Sequence, residues 1–202
     1  MTQVFTTLHE ELLPVEDGAL VVRSGEPDAA SPKGLKGGRK LGGGGKVGAG
    51  SRYRMAMCND ERDVLVKGRH LVEFELVQAA GNMTIGVAQT DYDPLKVYLP
   101  GEQRGAAGES WGMSTRSGSL SFRGKVSDWP GRRPAAQGDK IGMLVDLKVG
   151  SLTVFVNSVP AGKMVAQGLT GPLCWMTELS TAADSVRITR LDPLPPWARA
   201  VK

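Results

Sequence analysis

Short stretches in which every second residue is apolar recur through most of this 202-residue chain. Leu71-Val72-Glu73-Phe74-Glu75-Leu76 sets Val72, Phe74 and Leu76 on one side, with Glu73 and Glu75 on the other. Met83, Ile85 and Val87 repeat the pattern, and so do Leu120 and Phe122. Ile141, Met143, Val145 and Leu147 follow, then Leu152, Val154 and Val156, and last Val186 and Ile188. Successive side chains of a strand point to opposite faces, so a period of two marks a strand with one buried face. Gly, Pro, Asn, Asp and Ser separate the segments, the residues that tight turns use. No stretch sustains the helical period. Many short strands with glycine-rich turns predict an all-β fold, two antiparallel sheets stacked as a sandwich.

The sharpest local signal is a hairpin. Asp139-Lys140-Ile141-Gly142 opens one strand, Asp146-Leu147-Lys148-Val149-Gly150 makes the turn, and Leu152-Thr153-Val154-Phe155-Val156-Asn157 returns. Gly150 can take the positive φ that a tight turn often needs, and Asp146 can accept bonds from backbone NH groups beside it.

Charge and glycine divide the chain. Residues 1–30 hold one base and six acids, whereas residues 31–54 hold seven bases and no acid. Nine of residues 31–50 are glycine. A stretch with little to bury and much chain entropy to lose is expected to be a loop. Seven cations there suit phosphate contacts, which makes nucleic-acid binding through 31–54 an alternative function. A solvated loop is the plainer expectation, since no aromatic within 31–52 can stack on a base. Gly43, Gly45 and Gly48 fit the spacing of a dinucleotide loop, but no apolar strand precedes them and no amphipathic helix follows. Val47 stands where a Walker loop needs Ser or Thr. The opening residues lack the basic start and apolar run of a secretory signal, and no run reaches the roughly 20 apolar residues of a membrane span. Two cysteines, Cys58 and Cys174, cannot build a disulfide framework, so a reducing, cytoplasmic setting is expected.

Asp139, Ile141, Gly142, Asp146, Gly150, Phe155 and Asn157 occur in the order and spacing of the hallmark of the SPRY family. Lys67-Gly68-Arg69-His70-Leu71-Val72-Glu73-Phe74 is similar to that family's glycine turn and following strand. Ile85-Gly86-Val87-Ala88, Glu109-Ser110-Trp111-Gly112 and Gly171-Pro172-Leu173 resemble three further elements. The resemblance covers about 67–190, and residues 19–22 and 53–57 would supply early strands. Ser158 departs from it, since the family usually has glycine there. The resemblance implies a concanavalin-like jelly roll. It divides the chain into an acidic arm at 1–18, a sandwich at 19–192 with the Gly/Lys-rich loop at 31–52, and a tail at 193–202.

Groups for catalysis are scarce. The histidines are His9 and His70, the latter at a strand start that suits packing. Cys58 and Cys174 lie among apolar neighbours, where buried thiols are inert. Asp91 and Asp93 offer at most a weak calcium contact, so no metal site and no cofactor are expected. Trp111 suits the core, and Glu73 and Glu75 suit a solvated face. The chain is therefore expected not to be an enzyme. The resemblance implies an adaptor-like module that binds a protein or peptide through rim loops. Its pocket would draw on Arg52, Tyr53 and Arg54, on Tyr98 and Arg104, and on Ser180, Thr181 and Ala182. Aromatic and Arg side chains are the usual interface anchors. A structural subunit of a large cytoskeletal or ciliary assembly is the other alternative.

Overall fold

A computed structural model of the chain describes residues 5, 7–8, 12–15, 20–23, 54–92, 109–122 and 125–201. Fourteen strands appear among them: β1 (Thr7–Leu8), β2 (Leu12–Val15), β3 (Leu20–Arg23), β4 (Arg54–Cys58), β5 (Arg69–Gln78), β6 (Thr84–Gln89) and β7 (Ser110–Ser114). They continue with β8 (Leu120–Phe122), β9 (Lys125–Ser127), β10 (Lys140–Asp146), β11 (Ser151–Val156), β12 (Val159–Val165), β13 (Leu173–Leu179) and β14 (Ser185–Arg190). One short helix, α1 (Pro196–Arg199), follows.

The strands form two seven-stranded sheets. One runs β1-β4-β13-β6-β7-β8-β9 and the other β12-β11-β10-β5-β14-β3-β2. The strand pairings are antiparallel, and the short turn between β10 and β11 requires it of that pair. Residues 7–8 and 12–15 supply an edge strand to each sheet, and Phe5 and Leu12 enter the core.

Val72, Phe74 and Leu76 of β5 are buried between the sheets, as are Ile85 and Val87 of β6 and Ile141, Met143 and Val145 of β10. The Phe74 ring meets Trp175 of the facing sheet edge-on, with centroids 6.2 Å apart. Each such side chain taken from water contributes roughly 1.5–3 kcal/mol of transfer free energy. The alternate positions of β5 are less solvated than expected. Glu73 lies 3.4 Å from Lys140 Nζ, and Glu75 Oε2 accepts from Arg187 at 2.6 Å.

The hairpin follows its sequence. β10 and β11 pair from Ile141 with Val156 to Asp146 with Ser151. Gly150 takes φ of 70°, and its NH donates to Asp146 O at 2.8 Å, while Lys148 NH donates to the Asp146 carboxylate at 3.0 Å. At the far end, Asn157 Nδ2 donates to Asp139 Oδ1 at 2.9 Å, and Lys140 NH donates to Asn157 Oδ1 at 2.9 Å. The first and last residues of the sequence hallmark are thus a bonded pair that pins both strand ends.

The next turn explains the departure at Ser158. Asn157 and Ser158 both have positive φ, 53° and 65°. Asn tolerates this region, but Ser gains nothing comparable from it. Ser158→Gly is expected to raise the unfolding free energy by about 0.5–1 kcal/mol. Urea unfolding would show it, and a destabilised variant would contradict the strained turn.

Candidate functional rim

The register of the strands sorts the loops between the two ends of the sandwich. Leu179 of β13 faces Arg54 of β4, so the start of β4 and the end of β13 share one rim. Ser185 of β14 pairs with Gln78 of β5 there too. Two crossings from sheet to sheet meet at this rim. The chain passes from β5 to β6 through residues 79–83 and from β13 to β14 through residues 180–184.

Asp184 stitches the two crossings. It is fully buried, and its carboxylate accepts four bonds. Gly81 NH donates to Oδ1 at 2.7 Å. Thr181 NH, Ser180 NH and Ser180 Oγ donate to Oδ2 at 2.8, 3.0 and 3.3 Å. A carboxylate taken from water needs such donors, because an unpaired buried charge costs several kcal/mol. Ser180 Oγ in turn accepts from Asn82 NH at 2.9 Å. Gly81 must stay glycine: a Cβ there would sit 2.2 Å from Ser180 Oγ and 2.8 Å from Asp184 Oδ2.

A third loop joins this frame. Asn82 Oδ1 accepts from Ser114 Oγ at 2.8 Å and from Arg116 NH at 3.2 Å. Met83 NH donates to Thr115 Oγ1 at 3.1 Å. The rim is therefore cross-linked through side chains and backbone over residues 81–83, 114–116 and 180–184. It presents Arg54, Ser180, Thr181 and Ala182, all half-buried, and the exposed Ala183. Thr181 Oγ1 is a buried atom without a hydrogen-bond partner among the described residues.

The residues expected from sequence divide as follows. Arg54, Ser180, Thr181 and Ala182 come together at this rim. Arg52, Tyr53, Tyr98 and Arg104 lie outside the described residues, as does the basic segment 31–53. The strand ends that bracket residues 93–108 belong to the opposite end of the sandwich, where Gln89 pairs with Leu173 and Gln89 NH donates to Glu109 O. Sequence reasoning missed Asp184. Its signal was faint: an aspartate three residues after a Ser-Thr pair reads as an ordinary turn residue.

The remaining reactive groups are accounted for structurally. His70 Nε2 lies 2.7 Å from Lys67 O, in a bond local to the strand start. Trp111 is buried and stacks on Phe122, centroids 5.2 Å apart. Among the described residues no three His, Cys, Asp or Glu side chains gather as metal ligands. No helix among them is long and apolar enough to cross a membrane. Cys58 and Cys174 are both buried thiols. Burial pushes the Cys174 thiol up to about 12, against a smaller opposing effect of the Ala88 backbone. The native Cys174 is expected to resist iodoacetamide at about pH 8, because the thiolate is the nucleophile, and to react once urea unfolds the chain. Mass spectrometry would read the adduct, and rapid labelling of Cys174 in the folded state would contradict its enclosure.

Comparison with known proteins adds to this geometry. The model of the SPRY domain family matches residues 69–176. The SPRY domain of human HERC1 superposes with a TM-score of 0.60 at 13% identity, covering 92% of this chain and 99% of that one. The TRIM65 PSpry domain gives 0.59 at 15%, covering 93% and 90%. A further human SPRY domain gives 0.55 at 14%, covering 91% and 97%. At these identities the structural likeness concerns the fold. Among curated proteins no relative matches.

Proposed function

Because the chain belongs to the SPRY domain family, we propose that it is a non-catalytic module that recognises a protein or peptide partner at the rim formed by Arg54, Ser180, Thr181 and Ala182. SPRY domains are in general protein-interaction modules. The observation that carries the reading is the buried Asp184 carboxylate, which fixes residues 180–184 against Gly81 and Asn82. A loop held in one shape loses little conformational entropy on binding, and rigid scaffolds with shaped loops are where recognition residues collect. Arg54 at the edge of that surface is the type of side chain that anchors interfaces. Among the described residues the rim at 54, 81–83, 114–116 and 180–184 holds no His, Cys or Lys, and the buried carboxylate beside Ser180 Oγ is taken up by backbone NH donors, which favours contact over catalysis.

Affinity capture from native cells tests the proposal. The full chain is compared with Thr181→Arg, whose long cationic side chain would project from the half-buried surface. The folded variant is expected to lose the specific partners at least tenfold. Undiminished recovery of every partner would overturn the rim as the recognition surface.

A further inference from the structure

The opposite end of the sandwich holds a second feature. A cleft of about 180 Å³ opens between the strand ends there, lined by Arg69, His70, Trp175, Arg190, Leu191 and Leu194 among others. Its cations are only partly matched among the described residues. One terminal nitrogen of Arg69 donates to Ala198 O and Val201 O, but the buried Nε has no hydrogen-bond partner among the described residues and lies 3.6 Å from an Asp146 carboxylate oxygen. Arg190 reaches Asp192 at 3.7 Å, and the Asp192 side chain is 70% exposed. Both separations exceed the 2.7–3.2 Å of an N–H···O bond. Around the mouth, residues 65–71, 146–150 and 190–194 carry four bases (Lys67, Arg69, Lys148, Arg190) and two acids (Asp146, Asp192). Val66 and Val149 in the same loops are exposed. The walls thus combine under-satisfied guanidinium groups with leucine and indole surface.

We infer that this cleft binds an acidic peptide segment, taking an Asp or Glu carboxylate between Arg69 and Arg190 while a neighbouring apolar side chain lies on Leu191 and Leu194. A carboxylate is planar and accepts two bonds at once, so it matches a guanidinium better than a neutral amide does. The volume suits one or two side chains rather than a large ligand. Excess positive charge at the mouth would also favour the approach of an acidic segment. The site lies at the other end of the strands from Thr181 and does not depend on the rim described above.

The probe is the peptide N-acetyl-Leu-Glu-Leu-amide, with its glutamine analogue as control, titrated into the isotope-labelled full chain and followed by NMR. Saturable shifts are expected at the Arg69 Nε–H and at the Leu191 amide. The glutamine peptide is expected to bind at least tenfold more weakly, and Arg190→Gln to weaken the glutamate peptide at least tenfold. Tenfold corresponds to about 1.4 kcal/mol. Arg190 is chosen over Arg69 because its guanidinium bonds no backbone group among the described residues, and an unchanged native spectrum elsewhere verifies the fold. Thr181→Arg should leave the titration unaltered. Absence of saturable shifts at millimolar peptide, or equal binding of the two peptides, would overturn the inference. So would an Arg190→Gln variant that binds like the wild type.

Discussion

Replacement of Asp184 by alanine is expected to lower the unfolding free energy by about 3 kcal/mol or more, the largest effect of any polar substitution in the described structure. The carboxylate receives donors from Gly81, Ser180 and Thr181. Alanine would leave three backbone NH groups facing a void. Each unsatisfied buried donor costs about 1–3 kcal/mol, although relaxation of the rim would recover part of that. Asp184→Asn is expected to fall between. Its oxygen can serve Ser180 and Thr181, but its NH2 then faces the NH of Gly81, donor against donor. Urea unfolding measures both variants. Gly81→Ala strikes the same contacts, so its combination with Asp184→Asn should be clearly less than additive. Partner recovery should decline for Asp184→Asn even where the chain remains folded, since the rim loses its fixed shape. A near-neutral Asp184→Ala would refute the stitched rim.

The second large effect concerns residues 191–201. They fold back over the outer face of the second sheet, where Leu71, Leu144 and Phe155 point away from the main core. Ala198 is fully buried against them, and the Trp197 ring meets Phe155 edge-on at 4.8 Å. Arg69 fastens the segment. One of its terminal nitrogens donates to Ala198 O at 3.1 Å and to Val201 O at 3.0 Å, carbonyls at the end of α1 that lack helical partners. Trp197→Ala is expected to cost about 2–3 kcal/mol, below the range for a fully enclosed tryptophan because this one is half-buried. Deleting residues 191–201 would uncover Leu71, Leu144 and Phe155 together, and the chain is expected to self-associate as well as to unfold more readily. Thermal unfolding and light scattering would show both. A truncated chain that stays monodisperse and as stable as the full one would contradict a structural role for the segment.

How much of this was written in the sequence differs from element to element. β10 and β11 were readable almost to the residue, because their alternation, the Asp146–Gly150 turn and the Asp139–Asn157 pair all lie within a short stretch of chain. The cover over the outer face was harder to see, because Leu191 to Pro196, with three prolines, reads as an open tail. One signal was present. Ile141-Gly142-Met143-Leu144-Val145, Leu173-Cys174-Trp175-Met176 and Met55-Ala56-Met57-Cys58 carry apolar residues at both parities, the mark of strands buried on both faces. Glu73 and Glu75, which read as a solvated face, have cationic partners on β10 and β14 that no pattern along β5 reveals.

The candidate rim shows the same division. Arg54, Ser180, Thr181 and Ala182 were all named from the resemblance. That they meet is a matter of register between β4 and β13. Asp184 was not found, since its bond to Gly81 joins residues 103 apart.

The order of apolar and polar residues alone determined that this chain makes strands, where they turn and which of their faces turn inward, because a period of two is a property of neighbours along the backbone. The tertiary structure alone decided which loops share an end, which carboxylate holds them and what covers the outer sheet face. Those contacts depend on how two sheets cross and stack, and the hydrogen-bonded partners that bridge separate segments there lie 32 to 132 positions apart, separations that leave no local trace of the meeting.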